Sequence, residues 1–320
     1  MNAAAPLVSV VIPCFNARRW IEATIASVEA QTWRPLEIVV VDDGSTDGSG
    51  EWLQAQADRG RLRLVRQPNA GQPAAFNAAL RIASGDFVQF LDADDILDPT
   101  KIELQLSRLK ERPDCVATCE WGRFYGDDPS TASFVPELCW TDLTPPAWLA
   151  AAFHSGGGML FPGLWLIPMA LARSAGDWNE SIAGRNPDGE YFVRVLNRSV
   201  GVLFCEGARV RYRSGIAGSM SRSSGRENLR RQLRSLELIE HAVSGWSLIA
   251  GVSDGMGLAY QRYAMSVYPY ARDLAEAALE RSRILTRRRL APEGGWRFRV
   301  MASLLGWRLA RRMQVWSGRP

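Results

Sequence analysis

Histidine is nearly missing from this chain, and cysteine is scarce. His154 and His241 have no metal-ligand partners in sequence, and Cys14, Cys115, Cys119, Cys139 and Cys205 form an odd, widely spaced set. That usage reads as reduced thiols, not as a disulfide framework. Cys115 and Cys119 lack the second pair and the tight spacing of a structural zinc site. No stretch reaches the roughly 18 to 20 uninterrupted apolar residues of a membrane span. The best candidate, Ala242 to Tyr260, carries Asp254 and several glycines and reads as a pair of helices. Met1 to Pro6 has none of the basic start, apolar core and small-residue cleavage site of a secretory signal, so a cytoplasmic location is expected. Gly44 to Gly50 and Gly156-Gly157-Gly158 are glycine-rich, but neither has the lysine and spacing of a phosphate-binding loop, and both read as turns.

What the chain does have is acid at the ends of apolar runs. At 320 residues and 47% hydrophobic content it is large enough for one sizeable α/β domain with an additional segment. Phe87-Val88-Gln89-Phe90-Leu91 runs into Asp92-Ala93-Asp94-Asp95, and another apolar run ends at Asp42-Asp43. Carboxylates gathered in this way repel one another unless a cation or a hydrogen-bonding ligand sits among them. Oxygen ligands suit Mg2+ or Mn2+, which typically take one or two protein carboxylates together with substrate phosphates, so a nucleotide diphosphate is the natural partner.

The hydrophobic pattern places these acids. Leu7–Ile12, Leu36–Val41, Arg61–Val65 and Gly85–Leu91 read as strands, with helices at Arg18–Gln31, around Trp52 and Leu53, from Pro73 through Ala83, and at Pro99–Arg112. A further strand is expected at Cys115–Trp121, then irregular chain over Tyr125–Phe161, then mainly helix from Arg222 to Leu290 interrupted at Gly251, Gly255, Gly257 and Pro269. Strands apolar on both faces, alternating with helices, imply a mostly parallel sheet covered on both faces. Ligands bind such sheets beyond the carboxyl ends of the strands, where Pro13, Asp42, Asp43 and the Asp92 cluster converge.

Three ordered strings, Val10-Val11-Ile12-Pro13-Cys14-Phe15-Asn16, Glu37 through Asp47, and Leu91-Asp92-Ala93-Asp94-Asp95, resemble the family 2 inverting glycosyltransferases of the GT-A fold. The resemblance implies a GT-A type nucleotide-diphospho-sugar transferase over residues 1–222, with a nucleotide-binding half at 1–120 and an acceptor-side half at 121–222. Residues 223–320 would be a helical extension. It also implies that Pro13, Phe15, Asn16, Asp42, Asp43, Gln72, Asp92 and Ala93 meet the nucleotide, commonly uridine. Asp94 would bind the Mg2+ or Mn2+ that bridges the diphosphate. Asn69, Gly71, Gln72 and Asn77 resemble the segment before the metal motif, with Phe76 where an arginine is often seen. Ser174 to Glu180 and Asp188-Gly189-Glu190-Tyr191-Phe192-Val193-Arg194 resemble the acceptor-side segment, which makes Asp188 the general base, with Glu190 the fallback and Arg194 six residues on. Pro187 stands where a glutamate is common. Tyr212 to Ser221 resembles a donor-side loop that often carries a histidine, absent here.

Other readings stay open at this level. Asp42 and Asp43 can also be a turn with a capping acid, Asp95 can cap the next helix, and Trp140, Trp148 and Trp165 can stack on a sugar or pack in the core. A nucleotidyltransferase or a non-catalytic sugar-nucleotide-binding scaffold are the alternatives to a transferase acting on a glycan or lipid-linked acceptor. The net charge of +4 hides a strongly basic end, with eleven arginines against Glu293 in residues 281–320. Trp296 to Trp316 reads as a basic amphipathic helix that either touches the inner face of a membrane, through residues 291–320, or packs on protein. No nucleic-acid partner is expected, since no aromatic platform accompanies the arginines.

Overall fold

The computed structural model describes residues 5–155, 159–184, 187–216, 225–287 and 294–316. β1 (Val8–Cys14), α1 (Ile21–Glu29), β2 (Leu36–Asp42), α2 (Ser49–Asp58), β3 (Arg63–Arg66), α3 (Gln72–Ile82) and β4 (Phe87–Phe90) alternate as expected. Valine and isoleucine line both faces of β1 and β2, and every one of them is fully buried or nearly so. The rest of the chain supplies β5 (Ile96–Leu97), α4 (Lys101–Leu109), β6 (Cys115–Tyr125), β7 (Ser133–Phe134), α5 (Pro145–Ser155), β8 (Leu166–Pro168), α6 (Met169–Ser174), α7 (Asp188–Leu196) and β9 (Gly201–Ser214). The helices α8 (Arg226–Ala242), α9 (Val252–Val267), α10 (Arg272–Thr286), α11 (Trp296–Leu305) and α12 (Trp307–Trp316) follow.

The strands form one sheet in the order β3-β2-β1-β4-β8-β6-β9-β5, with β7 beside β6. β1, β2, β3 and β4 pair in parallel, β8 runs against both β4 and β6, and β6 pairs in parallel with β9. Most strands therefore share one direction, and β5, β7 and β8 oppose it. Right-handed crossovers put α1 and α2 on one face of the sheet and α3 on the other. The crossovers diverge at β1, so the crevice opens beyond the ends of β1 and β4.

Pro13 lies inside β1 and does not end it. The Val11 carbonyl faces β4, where it accepts the Leu91 N–H at 3.0 Å, and Pro13, two residues on, faces the same side after β4 has stopped pairing. A missing N–H costs nothing there.

Three expectations change. The irregular stretch contains α5, a helix apolar nearly all round and packed on α9, so its sequence shows no amphipathic period. Gly255 and Gly257 lie within α9 without breaking it. A Cβ on Gly257 would sit 2.2 Å from Thr286 of α10, and one on Gly255 would sit 3.2 Å from Phe153 of α5, so these glycines are close-packing points. The carboxyl-terminal segment is two helices and not one, divided at Gly306. Gly156-Gly157-Gly158 and Ser219 to Ser221 lie outside the described residues. All five cysteines are buried and unpaired, and no described helix is long and apolar enough to cross a membrane.

An aromatic cluster joins the parallel part of the sheet to the second half. Phe76 of α3 stacks on Trp178 at 4.5 Å between centroids, Trp178 stacks on Tyr191 of α7 at 4.2 Å, and Phe90 of β4 meets Phe76, Trp178, Tyr191 and Phe192 edge-on. Pairs of this kind add about 0.5–1.5 kcal/mol each beyond burial. Phe76, where an arginine was anticipated, is a core residue. Trp148 and Trp165 are buried against each other at 4.8 Å, and Trp140 stacks on Phe204, so these three belong to packing.

Candidate active site

The turn after β2 binds the chain to itself. Asp42 accepts the Ser45 N–H at 3.0 Å and faces Arg66 at 3.4 Å. Gly50 leaves room for that carboxylate, since a Cβ there would lie 2.4 Å from Asp42 Oδ2. Asp43 accepts from Gln67 Nε2 at 2.7 Å, Ala70 N–H at 2.9 Å and Gly71 N–H at 2.8 Å. Both are buried. Asp42 and Asp43 thus work as turn-fixing acids, and the helix-capping role in this turn falls to Asp47, whose Oδ1 accepts the Ser49 N–H at 3.0 Å. Asn16, in the left-handed region at φ 50°, accepts the Thr46 N–H at 2.8 Å and donates its own N–H to Ser45 Oγ at 3.0 Å. Phe15 stands half out of the surface beside it.

From Asp43 the connections run inward. Asp43 holds Gly71, Gly71 leads into α3 at Gln72, and Gln72 Nε2 donates to Asp92 Oδ1 at 2.7 Å. Asn69 packs its backbone against Gly44, so the 67–72 segment lies over the Asp42 turn. Ala93 is fixed by its carbonyl, which accepts Thr24 Oγ1 of α1 at 3.0 Å. Asp95 does not cap a helix: its Oδ1 accepts the Arg213 N–H of β9 at 2.9 Å, and its Oδ2 is buried without a partner.

α7 delivers the fourth acid. Tyr191 and Phe192 anchor the helix in the aromatic cluster, which sets its first residue, Asp188, against Asp92. Asp188 Oδ1 is buried with no hydrogen-bond partner among the described residues. Burial pushes the Asp188 carboxyl up to about 7 and that of Asp94 up to about 6, the latter against the pull of Arg213. Asp92 is raised by burial first and then by the charges of Asp188 and Asp94. One or more of these acids must hold a proton near neutral pH unless positive charge enters.

Arg213 lies in the donor-side string Tyr212 to Ser221, but the resemblance gives it no role of its own. Its Nε donates to the Asp94 carbonyl at 3.0 Å, its Nη1 donates to the Gly126 carbonyl, and its guanidinium lies over the Phe124 ring at 4.5 Å. Its signal was present in the strand alternation of Gly201–Ser214, which turns Tyr212 and Arg213 to opposite faces. Burial raises the Tyr212 phenol, with added push from Asp95, Asp92, Asp94 and Asp188.

Three candidates lie outside this mouth. Asn77 Oδ1 accepts the Trp178 N–H at 2.7 Å, and its Nδ2 donates to the Trp178 carbonyl and to Glu180, so it is a buried hook on the acceptor-side segment. Glu190, the fallback base, is closed in a two-point pair with Arg194 at 2.7 and 3.0 Å. Arg194 also donates to the carbonyls of Ala175 and Asp177. The pair serves to hold residues 175–177 on α7.

The described residues hold no preformed cluster of three or more metal-ligating groups. The mouth nevertheless fits a hard cation that draws most of its shell from substrate: the donors are carboxylates, they outnumber their cationic neighbours, and two of their oxygens are buried and unpartnered.

Comparison with known proteins agrees with this architecture. Residues 9–147 match the family model described as glycosyl transferase family 2. The uncharacterized glycosyltransferase YibD of Escherichia coli is 35% identical over 163 residues, covering 48% of this chain and 46% of that protein. Chondroitin synthase of Escherichia coli is 38% identical over 107 residues, 33% of this chain and 16% of the other. The chain thus spans less than half the length of these curated relatives. The solved structure of S. aureus TarS 1–349 in complex with UDP-GlcNAc superposes with a TM-score of 0.59 over 98% of this chain and 92% of that one, at 17% identity, a likeness of fold. Over residues 9–147 the chain is thus similar to glycosyl transferase family 2, within a GT-A-like architecture.

Proposed function

We propose that this protein transfers a sugar from a nucleotide-diphosphate donor, a UDP-sugar, to a hydroxyl of a glycan or lipid-linked saccharide in the cytoplasm, inverting the anomeric centre. The observation that carries the reading is the position of Asp188, a partly buried carboxylate with an unpartnered oxygen, held by a separate helix against the acids at the end of β4. The likeness to TarS, solved with UDP-GlcNAc, supports the uridine donor.

The residues divide the work of a single displacement. Asp188 takes the proton of the acceptor hydroxyl as that oxygen attacks, a role typically worth about 10² to 10⁴ in rate. Its raised pKa suits the task, because a base near 7 is deprotonated at working pH and still binds a proton well. Asp94, with Asp92 beside it, would hold Mg2+ or Mn2+, and the bound cation supplies Lewis-acid stabilisation of the departing diphosphate. Gln72 orients Asp92, and Arg213 keeps the Asp94 peptide in place from behind.

Calorimetry of UDP binding with and without Mn2+, on the wild type and Asp94→Ala, tests the donor side. Metal-dependent binding that disappears in the variant is the expected result. Absence of UDP binding under either condition would sink the uridine assignment.

A further inference from the structure

The last two helices present an outer face that nothing in the described chain covers. On α11, Trp296, Val300 and Leu304 recur every four residues and are 66%, 50% and 78% exposed. On α12, Leu309 and Met313 continue the apolar row at 45% and 44%. Singly such exposure is ordinary, but five large apolar side chains exposed on two successive helices mark an interaction site.

The opposite side of α12 is docked. Ala310 is fully buried, Trp307 meets the Tyr268 ring edge-on at 5.1 Å, Arg311 Nε donates to the Met265 carbonyl at 3.2 Å, and Arg308 pairs with Glu276 at 2.6 Å. α12 is therefore held to α9 and α10 by one face, which leaves Leu309 and Met313 outward, and α11 packs on α12. Gly306, at φ 77°, makes the bend between them, and no atom lies within 4 Å of where its Cβ would be.

Charge selects the occupant. Arg297 and Arg299 flank the apolar row, both exposed, and no described acidic side chain pairs with either. At the bend lies a cavity of about 320 Å³ lined by Tyr268, Trp307, Arg308 and Arg312 among others, with Arg308 over the Trp307 ring and Arg312 over that of Tyr268. Large apolar side chains flanked by the exposed guanidinium groups of Arg297 and Arg299, with no acidic residue between positions 294 and 316, are the chemistry of a surface that enters the headgroup layer of an anionic bilayer. A second protein copy would set these same arginines against one another.

We infer that α11 and α12 form a peripheral docking surface for an anionic lipid bilayer, with the apolar row sunk among the acyl chains and the arginines among lipid phosphates. The surface lies on elements other than those of the carboxylate mouth, so it stands or falls independently of the catalytic reading.

Flotation of the full chain with vesicles tests it. The wild type should rise with phosphatidylglycerol–phosphatidylcholine vesicles at low salt, bind at least about tenfold less to phosphatidylcholine alone, and be released by about 0.5 M NaCl if charge leads. Val300→Glu with Leu304→Glu, both at exposed positions, should abolish flotation while circular dichroism stays unchanged, and Arg297→Glu with Arg299→Glu should weaken it by about tenfold or more. Absence of flotation with anionic vesicles would overturn the proposal. So would flotation undiminished in the apolar pair of variants, or a stable dimer in sedimentation that those substitutions dissociate.

Discussion

Asp188 is where a single atom matters most. Its unpartnered Oδ1 and raised pKa make it the acid for which charge is costly and proton transfer useful. Asp188→Asn removes the proposed base and one like charge together, so sugar transfer should fall by at least about two orders of magnitude while UDP affinity, measured by calorimetry, changes little. Glu190→Gln should leave the pH profile unmoved, because Glu190 is committed to Arg194. Arg213 has the opposite sensitivity. Arg213→Met would strip the buried cation from Asp94 and Asp95 and should cost about 3 kcal/mol in denaturant unfolding, with Arg213→Lys recovering part of it. Asp188 could be named from the motif. Arg213 could not, since its importance lies in meeting residues more than a hundred positions away.

Between elements, the decisive contact is the one α3 makes with the segment before α7. Asn77 satisfies both the N–H and the carbonyl of Trp178 in a buried place, so Asn77→Ala leaves two backbone groups without partners. Unfolding should show a loss of about 2–3 kcal/mol, with transfer reduced more than UDP binding, because the hook positions the acceptor side. Periodicity located β1 to β4 and their helices within a few residues, since burial on both faces of a strand leaves a continuous apolar run. It missed α5 for the same reason reversed: a helix buried all round has no polar face to mark its period. Gln89 sits in an otherwise apolar strand because the fully buried Lys101, on α4, donates to its Oε1 at 2.5 Å and to Gln105 at 2.7 Å. Burial lowers that lysine to about 8.

For the whole molecule, the acid cluster links function to stability. The folded chain binds protons on Asp188 and Asp94 up to about 7 and about 6, against 3.8 for the free carboxyl. Over that window the folded state holds more protons than the unfolded one, so this contribution is complete below about pH 4 and is lost as pH rises. Removing one charge should relieve the strain only where it exists. Asp188→Asn should match the wild type near pH 4 and exceed it above about pH 7 by on the order of 2 kcal/mol, part of the repulsion being shared with Asp92. Thermal unfolding of the metal-free protein across this range measures the difference, and a constant offset at all pH values would refute the linkage.

The local sequence determined the strands, the turns at their ends and the chemical type of the site, because apolar runs, capping acids and carboxylate strings act through neighbours in the chain. It also marked the basic end as distinct. Tertiary structure alone decided which carboxylates remain unpartnered. Asp42, Asp43 and Glu190 carry the same group as Asp95 and Asp188, but the first three are engaged by hydrogen bonds and arginines, while Asp95 and Asp188 each keep one buried oxygen without a partner among the described residues. Residues 92 and 188 are made neighbours by aromatic packing among Phe76, Phe90, Trp178 and Tyr191, contacts set by the three-dimensional fit of side chains from four separate parts of the chain.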